Sequence, residues 1–363
     1  LTQLEYLEFR KVPSADLTPL SNLTNLKGLS LIEIKSCKIG SLANLKKLQS
    51  LDFQNTKQSD LTPLIGLDSL QTLWLTGTGA TDLAPLRDLV SLRELYFQGE
   101  SETPDLTPLK NLENLETLFV NLYGKGNGPA DPSFLENLTH LKKLKLSGIT
   151  GQSLAPFQNL IYLKELECAN TDISDLGPIR NLTRLTTLDL SWSPVSDLSP
   201  LQNMKVLQTL KLNHTNVKDI SPLKDMKSLR ELFISQTKVS DLTPLEKLIS
   251  ITALAFSETP VSDITPLANL TRLDTLLMGN TNVTDLTPLQ NFKYLRYLYL
   301  SKCAAKDLSP LLDLPKLEFL DLKGTFVDPK LIDALHEARP MLRIQFDKVA
   351  EEEKGAKSDV ELF

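Results

Sequence analysis

The sequence predicts an α/β repeat solenoid, in which a parallel sheet of about sixteen short strands lines the concave side and short 3₁₀ or extended segments form the convex side. Three observations carry this prediction: a constant period of 22 residues, a pentad that opens each repeat, and two leucine spacings within the repeat. The pentad is Asp-Leu-x-Pro-Leu, with Ile for Leu in some copies. Its aspartate recurs at Asp175, Asp197, Asp219, Asp241, Asp263, Asp285 and Asp307. A fixed period of this length means that each repeat buries its apolar face against its neighbours.

The leucine spacings predict the two halves of a repeat. In the unit that begins at Asp197, apolar residues follow in steps of three from Leu198 to Leu210, which suits a 3₁₀-like segment because side chains at i and i+3 stack. The step of two from Leu210 to Leu212 predicts a short strand with one buried face. Each unit is therefore expected to be a strand, a turn and a short helical or extended return.

The pentad aspartates, which also include Asp16, Asp60, Asp82 and Asp105, are interpreted as structural. An Asp side chain before a helical turn can accept the backbone N–H two residues later. The proline three residues after it lacks an N–H and removes an otherwise unpaired donor. This interpretation is favoured over a ladder of cation sites, so no metal site is predicted.

These repeats resemble the leucine-rich-repeat family, in its short 22-residue class of internalin-like and Sds22-like proteins, and look bacterial in type. The resemblance covers Leu1 to about Phe346 and implies a curved horseshoe. One column departs from the family's usual Asn after the strand. It holds threonine at Thr56, Thr78, Thr171, Thr215, Thr237, Thr259, Thr281 and Thr325. These hydroxyls are expected to satisfy backbone groups in neighbouring turns.

Charge and cysteine usage limit the partners and the compartment. The net charge of −6 argues against nonspecific nucleic-acid binding, which needs a basic stripe. No apolar run approaches the roughly 20 residues of a membrane span. Cys37, Cys168 and Cys303 lie several repeats apart and are not expected to pair. A reducing cytoplasm is therefore favoured, in the producing cell or in a host cell after secretion, with exposure at a surface as the alternative.

The chain is predicted to form one leucine-rich-repeat domain over residues 1–346. Because it begins in repeat phase, a cap or a further domain is expected upstream. Residues 328–346 are expected to be a C-terminal cap, with a helix from Pro329 to Arg339, Asp328 as its N-cap, and a strand from Met341 to Phe346. Residues 347–363 are charged and are expected to be a disordered tail. The alternative is that the apolar end of this tail anchors on a partner.

A partner site is predicted on the concave face. Strand side chains alternate, so the residue between the two buried leucines of each strand points onto this face. Three successive repeats place Trp74, Tyr96 and Phe119 there, and exposed aromatic rings are typical interface anchors. Extra residues at 98–104 and 121–132, the latter with Tyr123, predict two loops at the same edge. The alternative is that the rings only cover one another.

Further along the face come charges and a second aromatic cluster. The charged residues are Lys143, Lys145, Glu165, Glu167 and Asp189, and the aromatic cluster is Tyr297, Tyr299 and Phe319. The charges form either a polar rim that sets specificity or a solvated surface of cross-strand ion pairs. The second cluster forms either another contact or a packing surface for the terminal helix.

Catalysis has little support in the sequence. His140, His214 and His336 show no metal-ligand spacing, and no cofactor is predicted. We expect a noncatalytic protein-protein interaction module, favoured as a monomer, that binds a protein on its concave face. A bacterial effector or surface protein that engages a host protein is one form of it. The alternatives are the sensor or scaffold arm of a larger intracellular enzyme or signalling switch, and a carbohydrate-binding module.

Overall fold

The fold is an open solenoid built on a single parallel sheet of sixteen strands. The computed structural model describes residues 2–13, 16–34, 37–99, 104–122, 131–148 and 154–347. Within these ranges the strands follow one another across the sheet in chain order. The predicted repeat solenoid, with strands on one side and short 3₁₀ segments on the other, is thereby confirmed.

The strands are β1 (Tyr6–Arg10), β2 (Gly28–Ile32), β3 (Ser50–Asp52), β4 (Thr72–Leu75), β5 (Glu94–Gly99), β6 (Thr117–Leu122), β7 (Lys143–Ser147), β8 (Glu165–Glu167), β9 (Thr187–Asp189), β10 (Thr209–Lys211), β11 (Glu231–Phe233), β12 (Ala253–Ala255), β13 (Thr275–Leu277), β14 (Tyr297–Tyr299), β15 (Phe319–Asp321) and β16 (Arg343–Gln345). The α-helix α1 (Pro329–Ala338) precedes β16. The 3₁₀ segments are Thr18–Asn22, Gly40–Asn44, Thr62–Leu64, Ala84–Leu86, Thr107–Asn111, Pro132–Asn137, Ala155–Phe157, Gly177–Ile179, Ser199–Leu201, Ser221–Leu223, Thr243–Leu245, Thr265–Leu267, Thr287–Leu289 and Ser309–Leu311.

Neighbouring strands pair so that equivalent positions of the repeats stand in columns across the sheet. Leu210, for example, lies between Leu188 and Leu232 in the pairing register. All three side chains are fully buried. They pack into one continuous apolar core between the sheet and the 3₁₀ segments. Each repeat therefore supplies one layer of a core that no repeat could close alone.

The pentad aspartates begin the 3₁₀ segments, as predicted. Each carboxylate accepts the backbone N–H two residues later, for instance Asp197 from Ser199 and Asp241 from Thr243, both at 2.8 Å. The backbone and hydroxyl hydrogen bonds from Ser199 lower the pKa of the Asp197 carboxyl. This geometry satisfies a donor that the short helical turn would otherwise leave unpaired.

The threonine column stabilises its own turn rather than the neighbouring one, so the prediction is wrong for most of its members. Thr237 Oγ1 donates to the carbonyl of Ile234, three residues earlier, at 2.7 Å. The same bond is made by Thr56, Thr78, Thr171, Thr215, Thr259 and Thr281. Only Thr325 reaches a preceding repeat, through the carbonyl of Leu300 at 2.6 Å. The chain folds back within three residues here, so the nearest carbonyl is local.

Replacing Thr237 by valine is expected to lower the free energy of unfolding by about 1–3 kcal/mol. The isosteric methyl cannot donate to the Ile234 carbonyl, and leaving a buried polar group without its partner costs about this much. Thr237→Ser is the matched control, because Ser193 in the same column makes the equivalent bond to Leu190 at 2.5 Å. Urea denaturation of both variants would separate loss of the hydroxyl from loss of the methyl. Equal stability of Thr237→Val and the parent chain would contradict the assigned role.

A column of left-handed residues continues the backbone ladder past the end of the strands. Asn55, Asn170, Trp192 and His214 have φ between 56° and 61°. In this conformation their N–H groups donate to the next repeat, as Asn170 does to the Ser191 carbonyl at 2.8 Å. Glycine or asparagine suits such a position best, because a Cβ crowds the following carbonyl. A tryptophan there is unusual and was not anticipated from the sequence.

The helix near the C-terminal end begins and ends close to the predicted residues. Asp328 is its N-cap and accepts the N–H of Lys330 at 2.9 Å. Its sequence pattern predicts a buried face formed by Leu331, Ile332, Leu335 and Ala338. Ile332 and Leu335 are buried and Leu331 is half-buried, but Ala338 is exposed and does not belong to that face. The capping role of α1 and β16 stays a prediction, and the tail beyond residue 347 lies outside the described residues.

Candidate functional site

The concave face carries two columns of side chains, one on each side of the buried central leucine of every strand. The first concave column runs through Tyr6, Gly28, Ser50, Thr72, Glu94, Thr117, Lys143 and Glu165. The second runs through Glu8, Ser30, Asp52, Trp74, Tyr96, Phe119, Lys145, Glu167 and Asp189. Pairing partners within a column are on adjacent strands, so neighbours in these lists touch or nearly touch.

The aromatic ladder, defined as Trp74, Tyr96 and Phe119, occupies three adjacent places of the second column. The rings of Trp74 and Tyr96 are stacked, with centroids 3.5 Å apart and planes 6° apart. Phe119 meets Tyr96 edge-on, at a centroid distance of 4.9 Å and an angle of 86°. All three side chains are partly exposed. The rings therefore cover part of one another, and they still form one contiguous apolar surface whose members restrict each other's motion.

The Tyr96 hydroxyl gives the ladder a polar tip. It donates to the Glu94 carboxylate at 3.3 Å. Glu94 is on the same strand, in the first concave column. Burial, with a contribution from the charge of Glu94, raises the pKa of Tyr96. The hydroxyl is therefore a fixed donor at neutral pH, beside an apolar ring.

The predicted charged residues are brought together as ion pairs between neighbouring strands. The pairs are Lys143 with Glu165 at 2.8 Å, Lys145 with Glu167 at 2.8 Å, and Asp189 with Lys211 at 3.6 Å. Pairing across strands is compatible with both interpretations, a polar rim and a solvated surface. Pairs at this exposure contribute little stability, typically about 0.2–1 kcal/mol each. They also leave both partners accessible to a protein that lies on the face.

The C-terminal patch, defined as Tyr297, Tyr299 and Phe319, also lies on the concave face. Tyr299 and Phe319 have ring centroids 5.1 Å apart at an angle of 47°. The guanidinium of Arg296 lies 5.1 Å from the ring centroid of Tyr297. These rings flank the buried Leu298 and Leu320, so they point away from the core. The helix α1 buries Ile332 and Leu335 on the opposite side, toward the core.

The second concave column is apolar for some distance before this patch. Phe233, Ala255, Leu277 and Tyr299 stand side by side on β11 to β14. Ala255 is almost fully covered, and its neighbours are partly exposed. The 22-residue period already assigns these residues to one column, and the strand register brings them side by side as one apolar strip.

The structure describes only the ends of the two inserted loops. Strands β5 and β6 run on to Gly99 and Leu122, longer than the three-residue strands of the later repeats. Residues 100–103 and 123–130, which include Tyr123, lie outside the described residues. Both insertions begin at the same edge of the sheet, on the strands that carry Tyr96 and Phe119.

An exposed aromatic pair was missed in the sequence. Trp192 and His214 stack at a centroid distance of 3.3 Å and an angle of 16°, and Trp192 is 58% exposed. They lie in the left-handed column, at the edge of the sheet and away from the aromatic ladder. The repeat alignment itself contained a signal, because both residues occupy a place where the other repeats hold Asn, Gly or a polar residue and never another aromatic one.

The described residues hold no cluster of His, Cys, Asp or Glu that could bind a metal ion. Cys168 and Cys303 are buried, Cys37 is half-buried, and all three are free thiols. Burial raises the pKa of Cys37 and of Cys168, which favours the protonated thiol over the nucleophilic thiolate. Across the described part of the chain, helices are too short and too polar to cross a bilayer.

The comparisons with known proteins agree with this architecture. A family model for leucine-rich repeats in two copies matches residues 163–203 and 205–247. The chain is similar to the crystal structure of an internalin (inlF) from Listeria monocytogenes, at 27% identity and a TM-score of 0.77, over 85% of this chain and 88% of that one. It is also similar to internalin C2 of the same organism, at 30% identity and a TM-score of 0.51, over 52% of this chain and 84% of that one. A leucine-rich-repeat protein of Leptospira interrogans shares the fold at 19% identity and a TM-score of 0.75, over 93% of both chains.

No curated protein sequence matches the chain. The likeness to internalin C2 nevertheless combines 30% identity with most of that protein's length. The 22-residue period, the sixteen-stranded sheet and these likenesses lead to one conclusion: the chain belongs to the leucine-rich-repeat family, in its internalin-like, bacterial type.

Proposed function

We propose that the chain is a noncatalytic protein-binding module that takes a protein partner on its concave face, centred on the aromatic ladder. Leucine-rich-repeat proteins are generally protein-interaction modules. The observation that carries the proposal is the contiguous, partly exposed surface of Trp74, Tyr96 and Phe119. Aromatic rings that point away from a core are costly to leave in water and are enriched at the centre of interfaces.

The rigidity of the face favours tight binding. Each ring of the ladder is held by the next ring and by a strand paired on both sides. A surface that is already ordered loses little conformational entropy when a partner docks. In this proposal the ladder supplies the apolar anchor, and the ion pairs of Lys143, Lys145, Glu165, Glu167 and Asp189 form a polar rim. Tyr123 and the two inserted loops would contact one side of the partner.

The internalin-like type favours a bacterial surface protein or effector that engages a host protein. A sensor or scaffold arm of a larger protein would use the same face on a partner from its own cell. The two forms differ in the source of the partner, so the proteins captured from host lysate and from bacterial lysate distinguish them. The C-terminal patch is the alternative place for the contact in either form.

The ladder is tested by replacing Trp74, Tyr96 and Phe119 with alanine together. We expect a partner captured by the parent chain to be lost by this variant, with affinity lowered at least about a hundredfold, because interface hot spots cost 2 kcal/mol or more each when truncated. Capture from host and bacterial lysates identifies the partner. Titration calorimetry with the purified partner then measures the change.

The matched control is the triple alanine variant of the C-terminal patch, Tyr297, Tyr299 and Phe319. It removes a similar area of aromatic surface from the same face, eight or more strands away from the ladder. Circular dichroism establishes that both variants fold. A partner held equally by the parent and by the folded ladder variant would overturn the proposed site, and loss on the control variant alone would move the site to the C-terminal patch.

A further inference from the structure

A cavity of about 390 Å³ opens on the concave face over β1 to β4, next to the aromatic ladder. Its floor is formed by small residues, Gly28, Ser30 and Ser50. Tyr6 borders it on β1, and Trp74 borders it on β4. Asp52 lies between Ser30 and Trp74 in the second concave column. We call this cavity the slot.

Both aromatic walls of the slot are positioned by their neighbours. The Tyr6 ring lies over Gly28, where a Cβ would come within 2.7 Å of the ring, so the absence of a side chain at this position makes room for it. Trp74 stacks on Tyr96 with one face of its indole. Because Tyr96 is on the neighbouring strand on one side, the opposite indole face is turned toward β3 and Asp52. A ligand in the slot therefore meets an open indole face.

Two carboxylates line the slot, Asp52 and Glu8, and among the described residues Asp52 has no cationic partner at bonding distance. Asp52 accepts hydrogen bonds from the backbone N–H of Gln54 at 2.9 Å and from its side-chain amide at 3.2 Å, both of which are uncharged donors. Glu8, at the other end of the same column, is paired with Arg10 at 3.0 Å. Burial raises the pKa of Asp52 and outweighs the two hydrogen bonds from Gln54 and the charge of Arg10, which lower it, while Glu8 adds a smaller upward contribution. The charge of Asp52 is thus poorly compensated, which favours a cation beside it.

From the open indole face, the neighbouring carboxylate and the small floor, we infer that the slot receives the guanidinium of an arginine side chain carried by the protein partner. A guanidinium is planar, stacks on an aromatic face, and at the same time presents a fork of N–H donors to a carboxylate. An ammonium group lacks the plane, and a neutral ring lacks the charge. This inference rests on the proposed function for the source of the side chain, but the chemistry of the slot can be tested without any partner.

Trp74 is itself the probe. The chain has two tryptophans, Trp74 and Trp192, so a Trp192→Phe background leaves a single emitter in the slot. This background protein is titrated with N-acetyl-arginine amide at constant ionic strength, and N-acetyl-citrulline amide serves as the uncharged isostere. We expect a saturable change in emission with the arginine compound, half-complete in the millimolar range. The citrulline compound is expected to require at least about tenfold higher concentration, because its urea keeps N–H donors but lacks the positive charge that pairs with a carboxylate and stacks as a cation on an indole.

Two variants assign the effect to the slot. Asp52→Asn is expected to raise the half-saturating concentration about tenfold, and Tyr6→Ala less than about threefold, since Tyr6 borders the far side of the slot, three strands from Trp74. Asp321→Asn is the matched control: Asp321 belongs to the same column and accepts the N–H two residues later, as Asp52 does, but it lies at β15, far from the slot. It is expected to leave the titration unchanged.

The inference is overturned if the citrulline compound or N-acetyl-lysine amide titrates as strongly as the arginine compound, if Asp52→Asn has no effect, or if no saturable change occurs. These outcomes are independent of the aromatic ladder as a partner site. Phe119→Ala lies outside the slot and is expected to weaken capture of the partner without changing the titration. A chain that binds the arginine compound but whose Phe119→Ala variant captures its partner as well as the parent would support the slot and refute the aromatic ladder as the partner site.

Discussion

Replacing Phe256 by alanine is expected to lower the free energy of unfolding by about 3–5 kcal/mol. Phe256 follows β12, is fully buried, and belongs to the largest side chains of the core. Its removal takes apolar surface out of the core and leaves a cavity that the paired strands cannot collapse to fill. The next repeat holds Met278 in the equivalent place, just after β13, so the column accepts apolar side chains of several shapes.

The loss of stability caused by Phe256→Ala should be confined to the repeats next to Phe256. Each repeat contacts only its neighbours, so hydrogen exchange is expected to speed up in β11 to β13 and to remain at the parent rate in β2 to β4. Phe256→Leu is the matched control and should cost less than about 1.5 kcal/mol, because leucine fills this column in other repeats, as at Leu212 and Leu300. Uniform acceleration of exchange over the whole sheet would contradict a core built layer by layer.

Replacing Gly148 by alanine is expected to cost about 2–5 kcal/mol, the second large effect. Gly148 follows β7 with a φ of 74°, a region that disfavours a Cβ by about 1–2 kcal/mol. The added carbon would also overlap the carbonyl oxygen of Leu122 on the preceding repeat. That oxygen is part of the backbone and cannot move without shifting the end of β6, and such overpacking adds about 1–3 kcal/mol.

Thermal and urea denaturation of Gly148→Ala would measure this effect. Gly40→Ala provides the control, since no atom lies within 4 Å of a Cβ at this position and its φ is not in the left-handed region. It is expected to be neutral or slightly stabilising, because alanine restricts the unfolded chain. Equal stability of the two alanine variants would show that the contact with Leu122 is not tight in solution.

The sequence predicted most of the fold because the repeat pattern determines burial directly. Steps of three and two identified the 3₁₀ segments and the strands, and the pentad aspartates identified where each segment begins. The sequence pattern could not determine which carbonyl group accepts the hydrogen bond of a threonine hydroxyl. Thr237 was expected to reach a neighbouring turn and instead bonds to its own, since that choice depends on a sharp local bend rather than on residue spacing. Ala338 likewise fits the helical period but lies beyond the packed part of α1.

The candidate site was predicted only in part. Alternation along the strand placed Trp74, Tyr96 and Phe119 on the concave face, and the structure has their rings adjacent. The ring stacking depends on side-chain torsions, which the sequence does not encode in a readable pattern. The slot was missed because its essential feature is the small side chains of Gly28 and Ser50, which attract no notice beside a tyrosine and a tryptophan.

The unshifted strand register also has an evolutionary consequence. Deleting or duplicating a whole unit, such as residues 219–240, leaves every remaining column in line and changes the sheet by one strand spacing of about 4.8 Å. The separation between the aromatic ladder and the C-terminal patch is therefore adjustable in discrete steps by recombination between repeats, without redesign of any core layer. The distance between the two contact surfaces and the side chains that form each of them can thus change independently of one another.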